Sequence, residues 1–167
     1  MTEKIPAGLM PFYDRFLKSH YDQILEIGIK DGDSLRMWTE RFPDADFYAV
    51  DINDAELVGN VTQYKADAYT LEFVNKLPDG FDLIIDDGPH TEASWLFLLQ
   101  HYRDKLRPGG TLVIEDMIHP GSLLKLMNHA KRLGYTYVQY HDIRCWSKEP
   151  YASRYGKCLG IITAERP

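Results

Sequence analysis

Cysteine is scarce in this chain: Cys145 and Cys158 are the only two among 167 residues. Two thiols make no disulfide framework, so both are read as free and the compartment as cytoplasmic. Long hydrophobic runs are missing too. No apolar stretch reaches the ~18 residues that span a bilayer. The opening MTEKIPAGLMPFYDRF lacks the apolar centre of a secretory signal. Positive charge is in short supply, with 19 Lys+Arg against 25 Asp+Glu and a formal net charge of −6. That balance gives no general attraction to nucleic acid or to an anionic membrane. Internal repeats, linkers and low-complexity tracts are absent as well. What remains is ordinary globular usage, 44% hydrophobic and 26% charged, which rules out disorder as the main state. The length suits one domain over residues 1–167.

The periodicity predicts alternating helices and strands. Leu9, Phe12, Tyr13, Phe16 and Leu17 share helical spacing, so a helix is expected over about 8–19. YDQILEIG reads as a short buried strand, DFYAVDI as a second and QYKAD as a third. Between the first two, Ser34 is expected to cap a helix whose apolar face holds Leu35, Trp38 and Phe42. FDLIIDDG is the clearest strand, continuously apolar at its centre as buried parallel strands are. Trp95, Leu98, Leu99, Tyr102 and Leu106 mark one face of a following helix, with Pro108-Gly109-Gly110 as its stop and TLVIED as the next strand. Residues 122–133 form another helix ending at Gly134. YTYVQYHD and KCLGIITAE then close the chain as two strands with no helix between them. The fold class is therefore α/β, a mostly parallel twisted sheet of about seven strands with helices on both faces and an antiparallel C-terminal edge strand.

In such sheets ligands bind at the carboxyl ends of the strands. Those ends carry Glu26 and Gly28, then Asp51, then Asp67, then Asp86, Asp87 and His90, then Glu115 and Asp116. A solvated acidic rim is the competing reading. The turn Glu26-Ile27-Gly28-Ile29-Lys30-Asp31-Gly32-Asp33-Ser34 has G-x-x-x-G spacing, not the G-x-G-x-x-G of dinucleotide binders. Its acids would repel a pyrophosphate and tolerate a ligand with a cationic centre. Asp51, ending the next strand, can accept two hydrogen bonds from a ribose diol or serve as a turn cap.

Glu-x-Gly-x-x-x-Gly after the first strand, Asp51 after the second and Ala66-Asp67-Ala68 after the third resemble class I S-adenosylmethionine-dependent methyltransferases, with a single Rossmann-like domain. The resemblance implies that Glu26 and Gly28 lie by the methionine portion, that Asp51 holds the ribose hydroxyls, and that Asp67 or Ala68 lies by the adenine. Gly32 and Ser34 of the same turn, and Asp86, complete the implied cofactor-binding set.

Asp86-Asp87-Gly88-Pro89-His90 and Glu115-Asp116 put up to four carboxylates and an imidazole at adjoining strand ends. So many acids need raised pKa values or a cation. Oxygen ligands favour Mg²⁺, Ca²⁺ or Mn²⁺ over zinc. Adjacent strand residues point to opposite faces. Asp86 and Asp87 therefore cannot both face one ion while the strand stays regular, nor can Glu115 and Asp116. Gly88 supports an early strand end at the first pair; no comparable breaker follows Asp116. SLRMW after the glycine turn, DDGPH where the family has D-D-G-S-H, and IED resemble metal-dependent macrolide-sugar and rhamnosyl O-methyltransferases. That resemblance implies Mg²⁺ (or Mn²⁺) on Asp87, Glu115 and Asp116, with His90 as general base. The implied partner is a small-molecule acceptor, a hydroxylated sugar or glycosylated metabolite. A catechol-type methyltransferase, an NAD-dependent oxidoreductase and a non-catalytic nucleotide-binding subunit remain alternatives. A homodimer is compatible with the pattern but not specified by it. Residues 142–156, with Trp146, Tyr151 and Tyr155, are the one segment able to cover the site, and His119 is near enough in sequence to reach it.

Overall fold

A computed structural model describes residues 9–55, 57, 59–117, 120–142 and 160–167. Residues 143–156 of the segment expected to cover the site, His119 and both cysteines lie outside the described residues. The elements run α1 (Met10–Phe16), β1 (Gln23–Ile27), α2 (Asp33–Arg41), β2 (Asp46–Asp51), β3 (Val61–Lys65) and α3 (Leu71–Val74). They continue with β4 (Phe81–Asp86), α4 (Glu92–His101), β5 (Leu106–Met117), α5 (Pro120–Arg132), β6 (Thr136–Asp142) and β7 (Gly160–Glu165).

The seven strands form one sheet in the order β3-β2-β1-β4-β5-β7-β6. β3 through β5 pair in parallel. The expected antiparallel C-terminal strand is β7; it is not itself the edge but enters between β5 and the edge strand β6 and pairs antiparallel with both. The strand order reverses between β1 and β4, and this switch point is where doubly wound sheets open a crevice beyond the strand ends.

Strand alternation divides the core into two layers. Leu25, Ile27, Ile84 and Ile114 face the side covered by α4 and α5, meeting Trp95, Leu98, Leu99 and Leu126. Ile24, Leu83, Ile85 and Val113 face the other side, meeting Phe12, Tyr13, Leu35 and Trp38 of α1 and α2. All six residues of β4 are buried: Leu83, Ile84 and Ile85 as the apolar run requires, and Asp82 and Asp86 with hydrogen-bond donors on them. Among the described residues, no helix is long and apolar enough to cross a membrane.

Three expectations are corrected. The first helix is shorter than predicted: it stops at Phe16, and the chain turns extended at Leu17 because the Lys18 N–H goes to the Tyr21 hydroxyl at 2.9 Å. The helix after the glycine turn is capped by Gly32 in the left-handed region (φ 76°), and Ser34 lies inside its first turn, buried. Pro108-Gly109-Gly110 belongs to β5 and does not separate a helix from it. The Gly109 N–H bonds the Arg166 carbonyl at 2.8 Å and the Arg166 N–H bonds the Gly110 carbonyl at 3.0 Å, so the last residues of the chain pin the segment where its register against β4 shifts, between the Phe81–Leu106 and Leu83–Thr111 pairs.

At the amino ends of the strands one buried acid ties the sheet together. Asp82 of β4 is 1% exposed and its Oδ2 accepts the N–H groups of Asp22 and Gln23, each at 2.8 Å, while Arg107 of β5 pairs with its other oxygen. Asp82→Ala leaves the N–H groups of Asp22 and Gln23 without their acceptor and Arg107 with Asp22 as its remaining carboxylate partner. It is expected to cost about 2–4 kcal/mol in chemical denaturation.

Candidate active site

The site grows from the carboxyl ends of β1, β2, β3, β4 and β5. β1 delivers Gly28 at φ 81°, with its N–H on the Val50 carbonyl at 2.9 Å. Asp87, just past β4, donates its N–H to the Ile27 carbonyl at 2.9 Å. These two turns pass so closely that a Cβ on Gly28 would overlap the Asp87 carbonyl, which is why glycine stands there. Beyond them opens a cleft of about 410 Å³. Gly28, Asp51, Asp67, Ala68 and Asp87 all contribute to its wall.

Local hydrogen bonds fix the wall. Asp51 accepts the Lys30 N–H on Oδ2 at 3.0 Å and the Asn53 N–H on Oδ1 at 2.9 Å. The carboxylate is thereby aimed, and each oxygen keeps a lone pair for a further donor. Asp67 Oδ1 accepts the Tyr69 N–H at 2.8 Å, and the Ala68 carbonyl accepts the Tyr102 hydroxyl at 2.7 Å. Tyr69 lies over Gly88, where a Cβ would overlap its hydroxyl, and donates that hydroxyl to Asp86. Burial and the Asp86 charge push the Tyr69 phenol well above its ordinary pKa, so it stays a donor.

The acids separate by face as strand parity demands. Asp86 is buried on the Tyr69 side. Glu26 and Glu115 are buried on the α1–α2 side, where Trp38 Nε1 donates to Glu26 at 3.3 Å and the Tyr13 hydroxyl donates to Glu115. Asp116 breaks the alternation. It sits at φ 51°, at a shift in the β5–β7 pairing between Ile114 and Met117. This irregularity is the strand break that the residue types alone do not signal. His90 is also left-handed, at φ 52°, in the turn before Thr91 caps α4 with a reciprocal Ser94 box. Backbone outliers of this kind cost energy and gather where a site needs them.

Together these two turns bring Asp87, His90 and Asp116 into one group. One ligand atom from each lies within 4.8 Å of the others. His90 Nε2 is 3.6 Å from Asp87 Oδ1 and 3.8 Å from Asp116 Oδ2, and all three side chains are 27–30% exposed. Glu115 is not in this group; its carboxylate is turned to Tyr13. Of the implied cofactor-binding set, Gly28, Asp51, Asp67 and Ala68 reach the cleft wall, whereas Glu26, Gly32, Ser34 and Asp86 do not. Residue types alone did not single out Ile52 and Tyr69. Ile52 is 68% exposed beside Asp51 in the same wall, and an isoleucine right after an acidic strand end was the available signal.

A family model described as a methyltransferase domain matches residues 25–117. The chain belongs to this methyltransferase family. It is 36% identical over 126 residues to the mycinamicin VI 2''-O-methyltransferase of Micromonospora griseorubida, covering 64% of this chain and 31% of that protein. It is likewise 36% identical over 119 residues to the L-olivosyl-oleandolide 3-O-methyltransferase of Streptomyces antibioticus, covering 62% of this chain and 31% of that one. The chain thus spans about a third of the length of these relatives. Among solved structures, the MycE methyltransferase from the mycinamycin biosynthetic pathway, in complex with Mg, SAH and mycinamycin VI, shares the fold. Its TM-score is 0.69 at 23% identity, over 93% of this chain and 48% of that one.

Gly28→Ala is expected to combine the left-handed penalty of about 1–2 kcal/mol with an overpacking cost of about 1–3 kcal/mol. Gly109→Ala has a similar φ of 74° but open space around it, so it should show only the first. Unfolding midpoints of the two variants measure the difference.

Proposed function

We propose that this chain is an S-adenosylmethionine-dependent O-methyltransferase. Its acceptor is a hydroxyl of a small molecule, a sugar or glycosylated metabolite, and His90 is the base beside a divalent cation, Mg²⁺ or Mn²⁺. The observation that carries this reading is the convergence of Asp87, His90 and Asp116 at the edge of the cleft walled by Gly28 and Asp51. Membership of the methyltransferase family supports the reaction class, and the sugar O-methyltransferase names of the curated relatives support the acceptor class.

The donor set fits a cation of this kind: carboxylate oxygens suit Mg²⁺, and an added imidazole is also acceptable to Mn²⁺. Bound S-adenosylmethionine supplies a methyl group on a sulfonium, and a bound cation supplies acidification and orientation of the acceptor hydroxyl. The rest falls to the protein. Asp51, already aimed by two backbone N–H groups, accepts the ribose hydroxyls. Ala68 and Ile52 give the adenine apolar contact, with Asp67 at its edge. Gly28 lets the methionine portion approach the backbone. Asp87 and Asp116 hold the cation, with Glu115 next to them on β5. His90 takes the acceptor proton at Nε2, where Asp87 and Asp116 flank the imidazolium that results. The leaving thioether is neutral, so no acid is required.

The same geometry favours a second reading of His90, as third ligand. His90→Ala separates the two. A base should lose rate by ~10²–10⁴-fold while Mn²⁺ affinity is kept. Parallel loss of Mn²⁺ affinity would assign His90 to the ligand set.

Calorimetry is expected to detect binding of S-adenosylhomocysteine but not of NAD. Asp51→Ala should weaken that binding by about 1–3 kcal/mol, the scale of charge-assisted hydrogen bonds. NAD binding with no response to S-adenosylhomocysteine would overturn the reading. Excess chelator should abolish turnover and leave S-adenosylhomocysteine binding intact, while full activity under chelation rejects the cation. The acidic balance, net charge −6, supports a reading without a nucleic-acid partner.

A further inference from the structure

α1 contributes nothing to the cleft wall, yet it reaches the strand ends. Tyr13 is fully buried, its ring set edge-on against Trp38 with centroids 4.7 Å apart. Arg41 of α2 secures the helix from outside, with Nη1 on Asp14 Oδ1 at 2.8 Å. The Tyr13 hydroxyl passes through this packing to Glu115, which is 1% exposed. Apolar packing alone would place a phenylalanine here, as it does at the neighbouring Phe12. The one group that distinguishes Tyr13 is spent on a carboxylate at the end of β5.

That carboxylate has a particular neighbour. Asp86 pairs with Ile114, so Asp87 and Glu115 follow one step beyond the last paired positions of β4 and β5. Strand parity puts Glu115 on the α1–α2 side with Val113, while Asp87 lies just past the end of β4. Asp87 is one of the three grouped donors. A glutamate has three side-chain torsions, and without a fixed partner its carboxylate could face α1 or the Asp87 group. The tyrosine removes that freedom by fixing Oε1 toward α1, which anchors the residue immediately before Asp116.

We propose that Tyr13 is a positioning residue of the cation site: by holding Glu115 on the α1 side its hydroxyl fixes the end of β5, from which the next residue, Asp116, turns left-handed to join Asp87 and His90. This rests on the cation reading above. α1 is then part of the site's supporting shell, not only a cover for the sheet. Partners behind a ligating carboxylate orient it and strengthen metal binding.

The test uses Mn²⁺ alone, titrated by electron paramagnetic resonance into the full chain with S-adenosylhomocysteine present. Tyr13→Phe should weaken Mn²⁺ binding by roughly 10–100-fold, the usual effect of losing an outer-shell partner. S-adenosylhomocysteine affinity should not change, whereas a general loosening of the fold would lower both. Glu115→Leu, which removes the acceptor, should weaken Mn²⁺ binding too, and adding Tyr13→Phe to it should do nothing further. Wild-type Mn²⁺ affinity in Tyr13→Phe overturns the role. If the wild-type chain itself fails to bind Mn²⁺, the cation reading falls and the role falls with it. If wild type binds Mn²⁺ but neither variant differs, the cation reading stands on Asp87, His90 and Asp116 while the role of Tyr13 is rejected. Should Tyr13→Phe not fold, 3-fluorotyrosine at position 13 reports on the same contact. Its fluorine resonance should shift on adding Mg²⁺, and an unmoved resonance overturns the proposal.

Discussion

Side-chain alternation at the carboxyl ends of β1, β4 and β5 is the constraint on which the site depends. A parallel strand offers its last residues to opposite faces in turn. Five acids crowd the ends of three adjacent strands, and alternation sorts them: Glu26 and Glu115 toward α1 and α2, Asp86 toward Tyr69. Asp87 escapes because β4 ends at Asp86 and Gly88 follows. Asp116 escapes because its backbone turns left-handed at a pairing irregularity. Only the residues that leave the regular strand, together with His90 in its own left-handed turn, gather into a group. Irregular backbone, placed where regular strand would scatter the acids, is what creates the site.

Much of the architecture was legible because it rests on apolar pattern. The unbroken core of FDLIIDDG, the helical spacing of Trp95, Leu98 and Leu99 and the strands preceding Asp51 and Glu115 all appear in the structure. The position of β7 between β5 and β6 was not legible, because periodicity says that a strand exists but not which neighbour it takes. The end of α1 and the cap of α2 were set by particular contacts, the Tyr21 hydroxyl and the left-handed Gly32, which composition does not announce.

Within the site, legibility followed a similar line. Residues whose chemistry is local could be found: Gly28, Asp51, Asp67, Ala68, Asp87 and His90 stand at strand ends with distinctive types. The break at Asp116 could not, since nothing in Ile114-Glu115-Asp116-Met117 marks a left-handed residue. Tyr13 and Tyr69 were hidden for another reason. Their aromatic bodies satisfy the core pattern, so periodicity assigns them to packing and is silent about the hydroxyl at the end of the ring.

Those two hydroxyls act symmetrically. On one face of the sheet Tyr13 donates to Glu115, and on the other Tyr69 donates to Asp86. Burial and the adjacent carboxylates push both phenols well above their ordinary pKa, so each remains a donor wherever its acid is ionised. A buried carboxylate without a donor would favour the neutral acid. A buried carboxylate given a tyrosine proton to share can keep its charge without a metal. The outer acids are therefore served by protein donors on either side. Asp87 and Asp116 lie between them, part-exposed at the mouth of the cleft with an imidazole interposed. The demand for a cation is thereby narrowed from a rim of acids to a single place, and that place adjoins the cleft wall formed by Gly28 and Asp51.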